Sequence, residues 1–533
     1  MLKRIVSEVM LTLLLTGMLT LAFNIQPAKI WTGSTVYIRA DGSIDPPDAP
    51  ISSVDNITYT FTDNINESIV VERDNIVVDG VGYTLHGAVA SGYIGIDVSY
   101  RYNITLKNII VTEFDEGVVL DYSNNITIVN NTFSDNRDGC YGLFYSNNNT
   151  VVGNTFNCNT GFGICFGSDC NDNNVSCNII LYNDYGILIN GKDNVISRNM
   201  VINCRYKGMT INGEYNLVAN NNIQDTWEVG MSIGGSCNLV VNNNVSNTWV
   251  FNGIVVCGDN NVLSNNLVNR THYGNGIYLK VAQNNILADN IITRNEYGIY
   301  TVASHNNNVS CNAILNNYFA GMYLYQSNHN LICHNNFLNT APVCINQSSY
   351  NVWDDGYPSG GNYWSDYMGV DFYSGPYQNI TGSDGIGDTP YTIDANNIDR
   401  YPLIYPWPSH DIAIINITLS NLKPSINETI QIYVTLRNKG DFIETFDVSV
   451  NYTRTIDPLI GIQSITLAPR ESITLNFTWT PQSSGRYEIK VYTSEILEDI
   501  NPSDNTKTTY IYVTFKGSGW WRTPHMHTCL TIF

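Results

Sequence analysis

The chain has 533 residues, of which 14 % are charged and 11 % aromatic, and a formal net charge of −21. So acidic a chain repels phosphate backbones and anionic membrane surfaces, which argues against nucleic acid as a partner. Its length permits several domains and a large buried core.

Residues 1–28 read as a signal peptide or an N-terminal anchor. Lys3 and Arg4 are basic, and an apolar run from Val9 to Phe23 follows. That run is shorter than the ~20 residues of a membrane span. The remainder is expected to be exported, extracellular or at the cell surface. Sixteen Asn-x-Ser/Thr sequons fit a glycoprotein surface. Residues 29–94 form the expected N-terminal cap and first coil, with strands over Thr58 to Thr62 and Ser68 to Val71. A repeat rod needs such a cap because open strand edges invite aggregation.

Residues 95–350 repeat. Eleven times between Gly95 and Gly321 a glycine precedes an apolar residue, at intervals of 21 to 25 residues. Each unit continues with a polar turn, an asparagine before an apolar pair, and a second asparagine. One unit reads Gly186-Ile-Leu-Ile-Asn-Gly-Lys-Asp-Asn194-Val-Ile-Ser-Arg-Asn199-Met-Val. Apolar residues alternate and β-branched residues dominate, so three short strands per turn wind into a right-handed parallel β-helix of about twelve coils. At ~4.8 Å per coil the rod is roughly 55–60 Å long. The first asparagine of each unit, including Asn103, Asn125, Asn149, Asn174, Asn194, Asn216, Asn238, Asn308, Asn330 and Asn351, is expected at a bend. There it tolerates a left-handed backbone and bonds to its equivalent one coil away. Eleven of the twelve cysteines precede residue 350. They read as small inward hydrophobes, and an exported location permits disulfides within the Cys158, Cys165, Cys170 and Cys177 group.

At residues 351–408 the pattern changes to a compact aromatic C-terminal cap and linker. It contains Asn351-Val-Trp353-Asp-Asp-Gly-Tyr-Pro-Ser-Gly-Gly-Asn-Tyr-Trp364-Ser-Asp-Tyr and Gly382-Ser-Asp384-Gly-Ile-Gly-Asp388-Thr-Pro-Tyr. These two runs, together with the repeats, resemble the NosD-type periplasmic copper-binding β-helix family, which overlaps the β-helix class of carbohydrate-binding proteins and sugar hydrolases. The lead-in from Ser68 to Tyr83 is similar to archaeal surface members. The resemblance implies the β-helix over roughly residues 60–405.

Residues 409–515 read as an immunoglobulin-like β-sandwich, with seven alternating strands in about 105 residues. Asp411-Ile-Ala-Ile, Val434-Thr-Leu-Arg-Asn-Lys-Gly and Asn501-Pro-Ser-Asp-Asn resemble the cell-adhesion-related CARDB domain. That likeness implies surface presentation or adhesion, with a surface-layer or other envelope protein as partner. The tail 516–533 matches neither domain.

The turn before each repeated glycine carries aromatic and charged residues in coil after coil, among them Tyr185, Tyr206, Asp225, Arg294 and Tyr318. Four coils concentrate them: Trp227, Glu228, Trp249, Arg270, His272, Tyr273, Glu296 and Tyr297 form the expected sugar-binding face. The competing reading is that these rings cover the core and stack on each other. Asp384 and Asp388, with Asp354, Asp355 and Asp366, are candidate Ca²⁺ ligands, against plain turn chemistry. His525, Met526, His527 and Cys529 are candidate copper ligands on the tail. His329, Cys333 and His334 lie close in sequence, with His334 expected on the opposite strand face. No cofactor is required, with Ca²⁺ as the candidate ion.

The sequence therefore leads to a non-catalytic glycan-binding or adhesion protein. The alternatives are a polysaccharide lyase or glycoside hydrolase, which needs a close carboxylate pair, and a copper-maturation factor, which needs clustered soft ligands. Catalytic residues are not identifiable from the sequence.

Overall fold

A computed structural model describes residues 33–88, 92–347, 350–453, 458–496, 499 and 501–514. The expected signal or anchor and the 516–533 tail lie outside them. Two compact units divide the chain. One comprises residues up to 332 with 337–352, and the other comprises 333–336 with everything from 353 onward.

The first unit is a parallel β-helix with three faces. Its glycine-led sheet has fifteen strands, from Ile44–Asp45 at one edge to Val343–Asn346 at the other. A second sheet carries Thr58–Phe61 through Asn308–Ser310, and a third carries Thr84–His86 through Ala313–Leu315. Antiparallel pairing occurs at the N-terminal end, between Val36–Ile38 and Ile44–Asp45 and between Ile51–Ser52 and Thr58–Phe61. These short edge strands fold back over the first coils, as a cap must.

The glycine period has a steric cause. A Cβ built on Gly186 would lie 2.1 Å from the carbonyl oxygen of Gly208 in the next coil, and one on Gly213 would lie 1.7 Å from the carbonyl oxygen of Gly191. Only glycine lets coils approach so closely at those positions. Inside, Ile187, Met209, Met231, Ile254 and Ile277 stack in one apolar file with at most 2 % exposure.

Asparagine ladders close the corners. The backbone N–H of Asn149 donates to Oδ1 of Asn173 at 2.8 Å, Asn173 to Asn194 at 2.8 Å, and Asn194 to Asn216 at 2.9 Å. The file continues to Asn351. Its members are Asn173 and Asn307, not Asn174 and Asn308, and Ile104 and Ile126 hold the place in the first coils, not Asn103 and Asn125. The left-handed residue is also one position earlier than expected: Asp172, Asp193, Tyr215, Cys237 and Asn260 have φ between 57° and 59°. The left-handed turn aims the next side chain inward, so the ladder asparagines are buried. A second ladder runs from Asn131 to Asn312. A third, from Asn136 through Asn183, gives way to Cys204, Thr226, Thr248 and Thr271 before resuming at Asn295.

The cysteines match the expectation of small buried side chains in part. Cys140, Cys165, Cys170 and Cys204 are buried, whereas Cys158 and Cys177 are exposed; no disulfide joins Cys158, Cys165, Cys170 and Cys177. Burial pushes the Cys165 and Cys204 thiols up to about 12, so they stay protonated and inert.

In the second unit, Trp353 and Trp364 are each 1 % exposed and form the centre of the aromatic cap. The Trp364 indole N–H donates to Asp399 at 2.8 Å, and that of Trp353 to Asn397 at 3.0 Å. Tyr391 stacks on Trp364 with ring centres 4.3 Å apart. The sandwich has the expected seven strands. Ile412–Leu419, Ile430–Asn438 and Ser472–Trp479 make one sheet; Leu459–Leu467, Glu444–Thr453, Gly485–Thr493 and Thr506–Val513 make the other. Its core, including Ile432, Val434, Val448, Ile489 and Ile511, is built from this domain alone.

Candidate functional site

The aromatic edge lies where the third ladder is interrupted. Thr226, Thr248 and Thr271 are buried, and the residues after them project outward. Trp227, Trp249 and His272 stack in successive coils. Their ring centres are 6.5 Å apart for Trp227–Trp249 and 4.4 Å for Trp249–His272, with interplanar angles of 24° and 15°. Trp227 and Trp249 are 55 % and 42 % exposed, and their rings stack on each other.

One position later in the file stands Glu296, then Tyr318, which is 69 % exposed. His272 and Tyr318 are thus two coils apart, about 10 Å at the parallel-strand spacing. Between and beside them opens a recess of about 290 Å³, lined by Asp225, Asn247, Trp249, Arg270, His272, Arg294 and Tyr318. Asp225, Asn247, Arg270 and Arg294 are the left-handed residues of four consecutive coils, with φ of 55° to 60°. Arg270 and Arg294 therefore stand one coil apart. Neither has a carboxylate within 4.0 Å among the described residues, as is also true of Arg198 and Arg486, whereas Arg39, Arg137, Arg400 and Arg470 are paired.

Of the expected sugar face, the recess brings together Trp249, Arg270 and His272, with Trp227 joined by stacking. Tyr297 belongs to a separate cluster with half-buried Tyr300 and Tyr323 and exposed Phe319. Tyr273 is 75 % exposed and, like Glu228 and Glu296, does not line the recess. Asp225, Asn247, Arg294 and Tyr318 complete the lining. Their shared register was the available signal for them.

A second cluster sits nearer the N-terminal end. Arg137 bonds Asp115 at 2.7 Å, Asp138 at 3.3 Å, and Glu116. Glu116 and Asp138 are register partners on adjacent strands. Burial pushes both carboxyls above their ordinary range.

The Ca²⁺ candidates are not brought together. Asp384, 1 % exposed, accepts from the backbone N–H groups of Gly375 and Ile386, both at 3.2 Å. Asp388 accepts from those of Phe372 and Tyr373, both at 3.0 Å. Asp354 is held by Arg400, and Asp366 by the Tyr391 hydroxyl. These carboxylates serve turns and cap contacts. His525, Met526, His527 and Cys529 lie outside the described residues.

A soft-ligand cluster does exist. Ligand atoms of Cys333, His334 and Asp355 all lie within 4.8 Å of one another, the one such group of three among the described residues. His334 adopts φ 57°, so strand alternation fails there, and it does not face away from Cys333 as the sequence led one to expect. His329, also left-handed, is exposed and takes no part. His334 Nε2 is 3.5 Å from Asp355 Oδ1, 3.2 Å from Ser359 Oγ and 3.3 Å from the Ser359 carbonyl oxygen. Its ring stacks on Trp407 at 3.8 Å. Burial pulls the imidazole below its usual range, against the opposing pull of Asp355.

Comparison with known proteins agrees with the architecture. The family model described as periplasmic copper-binding protein (NosD) matches residues 51–248 and 189–369, and the CARDB model matches residues 409–509. No curated protein matches. Among solved structures, the CARDB domain of the PF1109 protein from Pyrococcus furiosus, a complex with di-metal ions, is 23 % identical. The match covers 21 % of this chain and 100 % of that chain, with a TM-score of 0.20. A solution structure of the same domain is 22 % identical over 20 % of this chain and 98 % of that chain, TM-score 0.18. A mutant of the periplasmic alginate epimerase AlgG is 13 % identical over 61 % of this chain and 84 % of that chain, TM-score 0.35. The copper of the family's description calls for soft or imidazole ligands, and among the described residues Cys333 and His334 with Asp355 fit that requirement.

Proposed function

This chain belongs to the NosD family and carries a CARDB domain, and on that footing we propose that it is an exported surface protein whose β-helix binds an acidic polysaccharide. The observation that carries this reading is the exposed Trp227–Trp249–His272 stack bordered by unpaired Arg270 and Arg294. Two guanidinium groups one coil apart repel each other, and in a chain of net charge −21 acidic partners are plentiful. Both are exposed to solvent, where a bound carboxylate could accept paired hydrogen bonds from either guanidinium. A sugar ring could lie in the recess against the exposed Trp249–His272 stack, with hydroxyls meeting Asp225 and Asn247. Coils ~4.8 Å apart approach the length of one sugar residue. The CARDB domain would hold the protein to an envelope partner.

Affinity electrophoresis tests this, with native gels containing polygalacturonate, alginate, or a neutral glucan. The acidic polymers should retard the wild-type protein, and Arg270→Gln with Arg294→Gln should remove the retardation. Equal retardation by the neutral glucan would keep glycan binding but remove the role of the arginines. Free migration in every gel would sink the reading.

Glycosidic-bond cleavage, the second reading, draws support from the Asp115–Glu116–Asp138 group around Arg137. Burial raises Glu116 and Asp138, as a general acid requires. Release of reducing ends from the retained polymer, lost in Glu116→Gln, would establish it; no release from any retained polymer would remove it.

A further inference from the structure

We propose that Cys333, His334 and Asp355 bind a thiophilic transition-metal ion of the Zn²⁺ or Cu⁺ class, at a site separate from the polysaccharide recess. Sulfur and nitrogen supply two of the three donors. Ca²⁺ and Mg²⁺ take oxygen shells and do not fit. In a tetrahedral zinc site with bonds of ~2.0–2.3 Å, donors stand about 3.3–3.8 Å apart. His334 Nε2 and Asp355 Oδ1 are already 3.5 Å apart, and the remaining ligand atom lies within 4.8 Å of both. Ser359 Oγ, 3.2 Å from Nε2 and 2.8 Å from Asp355 Oδ2, stands where a fourth donor or its water belongs.

The site is preorganised on one side and open on the other. Cys333 and His334 are buried at 4 % and 7 % exposure, and the imidazole plane is fixed against Trp407. Asp355 keeps a 36 % exposed side chain, which leaves an entry path. Loading displaces the Cys333 thiol proton to solvent and requires the His334 ring to carry its proton on Nδ1, so that Nε2 offers a lone pair. The ion would tie the Cys333–His334 turn to the 355–359 segment of the cap.

The test uses the full chain, reduced and stripped with chelator, then titrated with Co²⁺ as a probe for the zinc class. One equivalent should bind with a sulfur-to-cobalt charge-transfer band, and Zn²⁺ should displace it. Cys333→Ser should abolish the band, and Asp355→Asn should weaken binding at least about tenfold. A variant with His525→Gln, His527→Gln and Cys529→Ser should bind like wild type. A parallel Cu⁺ titration against a chromophoric chelator distinguishes the ions: the one held more tightly than its competitor is the ligand. No band in folded wild-type protein, a band surviving in Cys333→Ser, or its loss in the tail variant would overturn the proposal. If Cys333→Ser does not fold, zinc-edge X-ray absorption of the wild type decides. A shell with one sulfur supports the site, and an all-nitrogen-and-oxygen shell overturns it.

Discussion

The side-chain oxygen of Asn238 accepts two hydrogen bonds from Asn216, 2.8 Å from the backbone nitrogen and 3.1 Å from Nδ2. Both residues are 1 % exposed. Asn238→Leu would strand the Asn216 backbone N–H, one of the two Asn216 amide hydrogens (the other reaches the Gly191 carbonyl), and the Gly213 carbonyl, which Asn238 Nδ2 reaches at 3.0 Å. Each unsatisfied buried group costs roughly 1–3 kcal/mol. Denaturant unfolding should show a lower midpoint for Asn238→Leu and for Asn216→Leu; unchanged midpoints would mean that the ladder adds nothing.

Trp227→Ala with Trp249→Ala should leave the melting curve nearly intact, since the side chains are exposed and lose only ring stacking of about 0.5–1.5 kcal/mol per pair. Retention on an acidic polysaccharide column should fall sharply. A large drop in melting temperature would instead assign the rings to the core.

Retention should weaken as salt rises. The exposed Arg270 and Arg294 are screened by ions at a Debye length of about 8 Å in 0.15 M salt. Elution from immobilised polygalacturonate by a salt gradient checks this; elution indifferent to salt would remove the arginines from the interaction.

The sandwich should fold alone, because its apolar core draws on residues 412–513 only. A fragment spanning 409–514 should melt cooperatively, and a disordered fragment would show that it needs the cap.

Asp411 supplies a pH prediction. It is 1 % exposed, its Oδ1 has no hydrogen-bond partner among the described residues, and burial with the nearby Asp504 charge pushes its carboxyl up to about 7. The folded pKa is raised above the unfolded value of about 3.9, so the stabilising contribution is complete below pH ~4 and lost as pH rises through about 7. Asp411→Asn should therefore raise the sandwich's stability at pH 8 by a kcal/mol or more and change it little at pH 4, with an intermediate effect between those values. An equal effect at both pH values would show that Asp411 does not titrate in this range.

Much of the rod was legible in the sequence because a 22-residue period averages over a dozen coils. Gly186 and Gly208 mark the strands of one sheet, and the alternating apolar residues mark the faces. The ladder register slipped by one at Asn174 and Asn308, where two adjacent asparagines offer the same local chemistry and only the left-handed turn tells them apart. The recess was half legible. Arg270 and Arg294 share a register, but whether either finds a carboxylate depends on side-chain directions that no period encodes. The Cys333–His334–Asp355 group was invisible because alternation holds for extended backbone and His334 is not extended. Its third member also comes from the cap, twenty-one residues further along the chain.

The ladder bonds join each coil to its immediate neighbours, as the bonds of Asn216 and Asn238 show. Coil number is then a quantity that duplication or loss of a single 22-residue segment can change without redesign. Excising residues 217–238 would join Asn216 to Leu239, with the glycine, left-handed and ladder positions all returning in phase. Such a shortened chain should fold and shed Trp227, leaving the Trp249–His272 pair and the Arg270–Arg294 pair untouched. The reach of the proposed binding face along a polymer would in this sense be set by genetic copy number, one sugar-length step at a time.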